Sequence, residues 1–290
     1  MDLIQGSSDW IDFRKKGIGS SDAPIVLGVS PYKTPMQLYQ EKLGLVKSEY
    51  KAIFAVGHEW EPKIKKMVEE KEKIEFQPRV FVKPNKDHLR ASLDGYNSEK
   101  HLVLEIKYAN AEDHALALEN KIPEKYYAQV QHQLNVVDGN LAIYGSYNEM
   151  SDSLAIVKVE RNNDFIKLLE KKCDEFWHMV QTKTPPELTD RDYIDVASPT
   201  LEMFIGDYKK TLKKYKQLEV ELNILKTKII EDLPHTAVRA YGFKIHQVTR
   251  KGNIQYAKIP ELKQIDLEQY RSEPSVYWTI KEGNNEGNIS

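Results

Sequence analysis

One short stretch, Leu102–Tyr108 with the sequence LVLEIKY, restricts the fold more than any other part of the chain. Its mostly apolar residues predict a strand in the interior of a sheet. Because alternate side chains of a strand share a face, Glu105 and Lys107 point the same way. An unpaired charge is costly in a buried strand. A chain that keeps two charges there is expected to build a polar site around them.

A second carboxylate is expected beside this strand. Asp94 lies near the end of the preceding predicted strand, Leu89–Tyr96, and a polar turn at residues 97–100 leads into Leu102. If the two strands pair, Asp94 and Glu105 become cross-strand neighbours. Two carboxylates this close repel each other unless a cation lies between them or one binds a proton. Their oxygens suit Mg²⁺ or Mn²⁺, whereas a solvated hairpin face is the ordinary alternative.

Helical and strand patterns are mixed along the first two thirds of the chain. Strands are predicted at Glu75–Lys83, Leu89–Tyr96, Leu102–Tyr108, Leu141–Glu149 and Leu154–Glu160. Helices are predicted at Gly57–Lys73, Ala111–Asn120, Glu124–Val137 and Asn162–Gln181, after two short helices that Ser20 and Thr34 would begin. This order predicts an α/β core over residues 1–186, with a mixed β-sheet flanked by helices.

Residues 187–290 are predicted to form a C-terminal extension. After the pair Pro185-Pro186 and a polar linker, apolar residues recur at steps of three or four and predict one long helix at about 200–233. One irregular step interrupts the heptad pattern, so packing on its own domain and contact with a neighbouring subunit both stay open. The remaining predicted elements are a small hairpin and a last strand, at Val238–Val248, Asn253–Lys258 and Ser275–Lys281.

Composition excludes several kinds of site and location. Cys173 is the only cysteine, which rules out an intramolecular disulfide, a cysteine-based zinc site and a four-cysteine iron–sulfur cluster. No apolar stretch approaches the roughly 18 residues of a membrane helix, and Met1 to Trp10 lack a signal-peptide pattern. We therefore expect a cytoplasmic protein with no membrane partner. The net charge of −2 is neutral evidence on nucleic acid, because 42 basic and 44 acidic residues can segregate into patches.

Five short motifs follow one another along the predicted core. The first joins Trp10 and Arg14 to the sequence GIGSSD at 17–22. The others are G-x-x-x-E at 57–61, ASLDG at 91–95, E-x-K at 105–107 and Y-x-x-Q-x-Q at 126–131. In this order they resemble the YqaJ-like viral recombinase family of PD-(D/E)xK nucleases, over about residues 5 to 182. Leu93 departs from the family, which commonly has proline before the aspartate.

The resemblance implies a restriction-endonuclease-like core and a metal site. Asp94, Glu105 and the backbone carbonyl of Ile106 would hold Mg²⁺ or Mn²⁺, as two ions, and Glu61 would complete the site directly or through water. Lys107 would orient the attacking water or help to deprotonate it.

The resemblance also assigns residues around this metal site. Arg14 would clamp a 5′-phosphate with its planar guanidinium, and the hydroxyls of Ser21 and Ser20 would lie beside the same phosphate. The other assigned residues are Gln129, which would hold the water or the lysine, and Tyr126 and Gln131, which would form the wall of the site.

The family implies an Mg²⁺-dependent 5′→3′ exodeoxyribonuclease that resects double-stranded DNA ends for phage-type recombination, in the host cytoplasm if a phage encodes it. Its implied partners are a single-strand annealing protein and further copies of the chain in a ring, with a trimer favoured. An endonuclease on the same fold, restriction-like or structure-specific, is the alternative. A non-catalytic DNA-end binder or recombination adaptor is the rival outside the enzymes. Arg14 with Ser21 favours the end-dependent choice.

Overall fold

The charged strand is the middle strand of a five-stranded mixed sheet. The computed structural model describes residues 8–46, 52–265, 267–270, 272, 275 and 277–280, and it separates residues 1–193 from 194–290 as two units. The strands of the first unit lie side by side in chain order: β1 (Gln77–Lys83), β2 (Lys86–Asn97), β3 (Leu102–Tyr108), β4 (Leu141–Asn148) and β5 (Ser153–Glu160). The pair β3–β4 is parallel and the other pairs are antiparallel. The predicted α/β fold is confirmed.

Helices cover both faces of this sheet. They are α1 (Ser8–Lys15), α2 (Ala23–Val26), α3 (Pro35–Lys42), α4 (Ala52–Glu72), α5 (Ala111–Leu118), α6 (Glu124–Val137) and α7 (Asn163–Thr182). On one face, Ile64 and Val68 of α4 pack against Leu104 and Ile106 of β3. On the other face, α6 and α7 contribute to the larger apolar core, which includes Val103. Because β3 is covered on both faces, a charge on it is largely shielded from water.

Local sequence signals set the ends of the helices that carry the site. Pro123 precedes α6, and Asp138 ends it in the left-handed conformation, with φ of 54°. Thr34 begins α3, because its hydroxyl accepts a hydrogen bond from the Gln37 amide at 3.2 Å. The prediction for Ser20 is wrong: the short helical turn Ser20–Asp22 begins after Gly19, and no side chain caps it.

The segment between Pro186 and Tyr193 belongs to the first unit, so the unit extends beyond the expected boundary at 186/187. Arg191 donates hydrogen bonds to the carbonyls of Ser30 and Pro31, at 2.7 and 3.0 Å. The Asp192 carboxylate accepts a hydrogen bond from the Thr34 hydroxyl. These polar contacts fix a segment whose composition predicts only a linker.

The second unit begins with a long helix, α8 (Pro199–Glu231), which is followed by a hairpin of β6 (Ala237–Ala240) and β7 (Phe243–His246). Except for Ala237, the whole hairpin therefore falls in the single stretch predicted at Val238–Val248. Asn253–Lys258 is not its second strand, because its only regular structure is a 3₁₀ turn at Tyr256–Lys258. Of the strand predicted at Ser275–Lys281, residues 275 and 277–280 are described and they form no strand. No helix among the described residues is long and apolar enough to cross a bilayer.

Candidate active site

A bulge in β2 places Asp94 at the edge of its pairing with β3. Gln77 of β1 pairs with Tyr96, whereas Arg79 pairs with Leu93, so β2 has one more residue than β1 here. Such bulges redirect side chains next to active sites. The residue after Asp94 is Gly95, and no larger residue fits there, because a Cβ would lie 2.6 Å from the Cβ of Phe76.

The backbone ladder between β2 and β3 stops where the carboxylates begin. Gly95 pairs with Leu104, and the same register continued by one residue sets Asp94 opposite Glu105. The Ile106 amide donates to Asp94 Oδ2 at 2.8 Å. A side-chain carboxylate therefore takes the place of a backbone acceptor, which fixes Asp94 beside the middle of β3.

Glu105 is almost completely buried, with 1% of its surface exposed. Its Oε1 accepts a hydrogen bond from Gln129 Nε2 at 2.6 Å and lies 2.5 Å from Lys107 Nζ. Its Oε2 accepts a hydrogen bond from Gln133, one turn further along α6. A buried carboxylate requires such donors, and here they come from one helix and from its own strand.

Lys107 and Tyr126 form the more open side of this cluster. The Lys107 ammonium lies 5.2 Å from the centre of the Tyr126 ring, which stacks on Tyr144 with centroids 5.8 Å apart. Burial opposes the charge of Lys107, but the negative charges of Glu105 and Asp94 raise its pKa above the usual value. Lys107 is therefore an ammonium donor at neutral pH.

The acidic groups repel one another. Burial raises the pKa of Asp94 well above its usual value, and the charges of Glu105 and Glu61 raise it further, against the opposing charge of Lys107. A bound proton or a cation relieves this repulsion.

Helix α4 carries Glu61, and the preceding residue, Trp60, packs this helix against the sheet. The Trp60 ring stacks on Tyr108 of β3 and on Tyr147 of β4, with centroids 5.6 and 5.1 Å apart. The aromatic contacts set the helix against the ends of the two parallel strands. The sequence motif containing Glu61 thus lies on an element anchored to the strand of Glu105.

The donor set fits a hard divalent cation that keeps part of its water shell. Among the described residues, no three side chains of His, Cys, Asp or Glu are grouped closely enough to form a metal site by themselves. Mg²⁺ is commonly held by one or two carboxylates while retaining several waters. Asp94 and Glu105 supply such oxygens, and the repulsion at Asp94 is what a cation would offset.

A second charged cluster lies at the N-terminal side of the unit. Arg14 Nη2 donates to Ser21 Oγ and to Asp22 Oδ1, both at 3.0 Å. Asp22 is buried, and its Oδ2 also accepts a hydrogen bond from Lys42 Nζ at 2.6 Å. Burial works against its charge, yet the charges of Lys42 and Arg14 hold the pKa of Asp22 well below its usual value. Two basic groups therefore contact one carboxylate, although burial lowers the pKa of Lys42 against the attraction of Asp22.

The backbone fixes this cluster to the sheet. Ile18 pairs with Leu89 of β2 as an isolated parallel bridge. Gly17 is required beside it, because a Cβ there would lie 2.5 Å from the carbonyl oxygen of His88. The Arg14 guanidinium is about one-third exposed and Ser21 is exposed, so both can meet a ligand from solvent.

Two residues assigned from the motifs lie elsewhere. Gln131 is fully buried and faces away from Glu105: its amide donates to the Glu160 carbonyl at 2.7 Å and accepts from the Asn162 amide at 2.9 Å. It joins α6 to the start of α7 and forms no wall of the site. Ser20 is only 3% exposed, so burial separates it from a phosphate in solvent.

Three residues of these clusters were absent from the sequence assignment, namely Gln133, Asp22 and Lys42. Gln133 lies four residues after Gln129, and helical periodicity alone puts both on one face. Asp22 follows Ser21 within the quoted motif. Lys42 carried no local signal, because only the packing of α3 brings it to Asp22.

The comparisons with known proteins agree with this geometry. The crystal structure of an alkaline exonuclease (LHK-Exo) from Laribacter hongkongensis has a TM-score of 0.54 at 18% identity, covering 61% of this chain and 94% of that one. The same exonuclease in complex with dAMP gives 0.55 at 17% identity, with equal coverage. The first unit therefore shares the PD-(D/E)xK-like fold of these structures.

The sequence comparisons find a similar family domain and a similar protein. Residues 9–140 match the YqaJ-like viral recombinase domain. This match confirms the resemblance that the motifs indicate. The uncharacterized protein YqaJ of Bacillus subtilis (strain 168) is 29% identical over 176 residues, which are 59% of this chain and 55% of that protein. The match thus spans about half the length of that relative.

Proposed function

We propose that this chain is an Mg²⁺-dependent exodeoxyribonuclease that degrades duplex DNA from its ends in the 5′→3′ direction. The observation that carries the proposal is the buried Glu105, held by Gln129, Gln133 and Lys107 next to the crowded carboxylate of Asp94. Structural ion pairs have no need of a second, repelling carboxylate. A phosphodiester hydrolase needs one to hold a cation.

Each residue of the site has a role in this proposal. Asp94 and Glu105 hold the cation, with Glu61 and the backbone carbonyl of Ile106 as further oxygens. The chemistry that Mg²⁺ supplies when bound is activation of a water molecule and stabilisation of the leaving oxygen. Lys107 orients the water or a phosphate oxygen through its N–H groups.

Other side chains keep this arrangement fixed. Gln129 and Gln133 hold the two oxygens of Glu105, so that its carboxylate cannot rotate. Tyr126 limits the space beside Lys107.

The second cluster supports the choice of DNA ends. Arg14 and Ser21 offer a guanidinium and a hydroxyl at the surface, and Lys42 balances the buried Asp22 beneath them. A planar guanidinium grips phosphate oxygens in a bidentate way. We assign this cluster to a 5′-terminal phosphate. LHK-Exo is named an alkaline exonuclease, which supports an exonuclease over an endonuclease.

Cleavage of labelled DNA tests the proposal. Linear duplex labelled at either the 5′ or the 3′ end, and closed circular duplex, are incubated with the full chain with and without Mg²⁺. We expect early release of the 5′ label from linear DNA, no cutting of circles, and no activity in EDTA. Cut circles would indicate the endonuclease, and binding of ends without cleavage would indicate the adaptor.

The resemblance also carries a proposal about partners. We propose that the chain acts with a single-strand annealing protein, which would coat the strand left by resection, and that copies of the nuclease unit encircle the DNA as a ring of three. An encircling protein stays on its track without tight phosphate binding, in accord with a net charge of −2. Light scattering with and without DNA ends measures the assembly, and a monomer in both samples would contradict the ring.

A further inference from the structure

Helix α8 carries a heptad repeat along most of its length. The helix begins at Pro199, close to the predicted start at about residue 200. Counted from Leu201, every seventh residue is apolar. These residues occupy the a positions of a heptad: Leu201, Tyr208, Tyr215, Leu222 and Ile229.

The d positions follow the same rule with one exception. Each d position lies three residues after an a position. The d residues are Phe204, Thr211, Leu218 and Leu225, of which only Thr211 is polar. The irregular step in the sequence pattern comes from Ile205 and Leu212, which lie one position beyond d. They widen the apolar face at the first half of the helix without breaking the repeat.

Within the described part of the second unit, no residue buries this heptad face. No residue of α8 is buried, and its central residues Leu218 and Leu222 are 62% and 53% exposed. Isolated helices gain little stability from their own hydrogen bonds, so an amphipathic helix needs burial of its apolar face.

The charges beside the face suit a second copy of the same helix. In a parallel pair in register, Lys214 of one copy lies beside Glu219 of the other, and Glu221 lies beside Lys226. In an antiparallel pair Lys214 lies beside Glu221, which is also an attractive pairing. A sequence that flanks its apolar face with charges complementary to itself is suited to self-association.

We propose that α8 is a self-association helix, whose a and d face packs against the same face of a second copy of this chain. The proposal goes beyond nuclease activity and does not depend on it. It also differs from a ring built by the first unit alone, because the contact lies in residues 201–229.

Two matched substitutions test the contact in the full-length chain. Leu218 stands at a d position, whereas Val220 stands two residues later on the outer side of the helix and is nearly as exposed, 59% against 62%. Light scattering of the intact chain at micromolar concentration should give more than one copy. Leu218→Lys should weaken the association by about 100-fold or more, and Val220→Lys should leave it unchanged within about threefold.

Cross-linking gives a second measurement that does not depend on a disruptive substitution. The natural Cys173 is buried. On mild oxidation, Thr211→Cys should link two copies if the helices are parallel, and the double variant Thr211→Cys/Leu222→Cys should also link them if they are antiparallel. Val220→Cys should link neither.

Several results would overturn the proposal. They are a monomeric intact chain, an oligomer whose mass Leu218→Lys and Val220→Lys change equally or not at all, or no cross-link from either Thr211 variant. Cleavage of labelled duplex by the same samples is scored separately, so a chain without nuclease activity can still confirm the contact, and an active monomer would refute it.

Discussion

Two clusters of buried charge lie in the first unit, and they balance their charges in opposite ways. Around Glu105 the charges of three carboxylates act on one another against the single ammonium of Lys107. Around Asp22 one carboxylate is shared by Arg14 and Lys42. Such a surplus attracts a ligand of the opposite sign. The proposed function uses this difference, because it assigns a cation to the first cluster and the phosphate of a DNA end to the second.

The largest expected effect comes from removing the repelling charge of the first cluster. Asp94→Asn keeps an oxygen that can accept the Ile106 amide but removes the charge that would hold Mg²⁺. Cleavage should fall by more than the roughly 100-fold that follows loss of an outer-shell partner. The folded state should be at least as stable without metal, because one repulsion is gone.

Thermal unfolding provides a measurement of this variant that is independent of activity. Mg²⁺ should raise the melting temperature of the unaltered protein, since a ligand that binds only the folded state stabilises it. It should have little effect on Asp94→Asn. Equal stabilisation of both proteins would contradict the proposed contrast between the two clusters, because Mg²⁺ would then not bind through the negative charge of the first cluster.

Two glutamines on α6 test which side chains of this helix belong to the first cluster. Gln133 donates to Glu105, whereas Gln131, two residues earlier, joins Glu160 to Asn162. Gln133→Leu should raise the Mg²⁺ concentration needed for half-maximal cleavage by about 10- to 100-fold. Gln131→Leu should lower the melting temperature and leave the Mg²⁺ requirement unchanged. A similar Mg²⁺ shift in both variants would mean that α6 acts on the site only through general stability.

These two glutamines also show what sequence can predict here. Strand β3, helix α6 and the pairing of Asp94 with Glu105 follow from periodicity, turn residues and a short connection, all of which are local. Gln131 was misassigned because a motif gives spacing along the chain, while the helix turns consecutive motif positions to different sides. Gln133 could have been found by stepping one helical turn from Gln129.

Non-local packing explains the rest of what the sequence left out. Lys42 meets Asp22 only because α3 folds back on the N-terminal segment, and no pattern in its own neighbourhood signals this. Arg191 and Asp192 are held by Ser30, Pro31 and Thr34 across a long sequence separation. Such contacts are invisible to composition, which indicates a linker at these residues. The bulge at Asp94 is likewise non-local, because it depends on how the residues of β1 pair with those of β2.

The second cluster is tested by the phosphate at the DNA end. Arg14→Ala removes one charge-assisted contact, which is worth about 1.5–3 kcal/mol. The unaltered protein should therefore degrade 5′-phosphorylated duplex at least about tenfold faster than 5′-hydroxyl duplex, and the variant should degrade both at similar rates. Lys15→Ala is the matched control, because Lys15 is the neighbouring exposed cation and pairs only loosely with Asp12, at 3.9 Å. Loss of the preference in both variants would indicate general charge instead of a specific clamp.

The smallest expected effect concerns how Lys42 serves Arg14. In Lys42→Met, Arg14 is the only basic side chain left to pair with Asp22, so the net charge of the pair is zero. The preference for 5′-phosphate should therefore fall by a few-fold. On a logarithmic scale, this loss is roughly a third to a half of the loss caused by Arg14→Ala. Removing one partner of a buried pair should also destabilise the fold.

A compensating change separates charge from structure in this cluster. The double variant Asp22→Asn/Lys42→Met removes one charge of each sign and leaves Arg14 as the only cation, so the net charge of the cluster is restored. Its preference for 5′-phosphate should return toward that of the unaltered protein, measured as the ratio of the two degradation rates. Lys42 also donates to the Arg14 carbonyl at 2.8 Å, and the double variant lacks that contact as well. A double variant no better than Lys42→Met would therefore show that Lys42 acts by holding the backbone of Arg14, and the charge balance of the second cluster would lose its part in recognising the end.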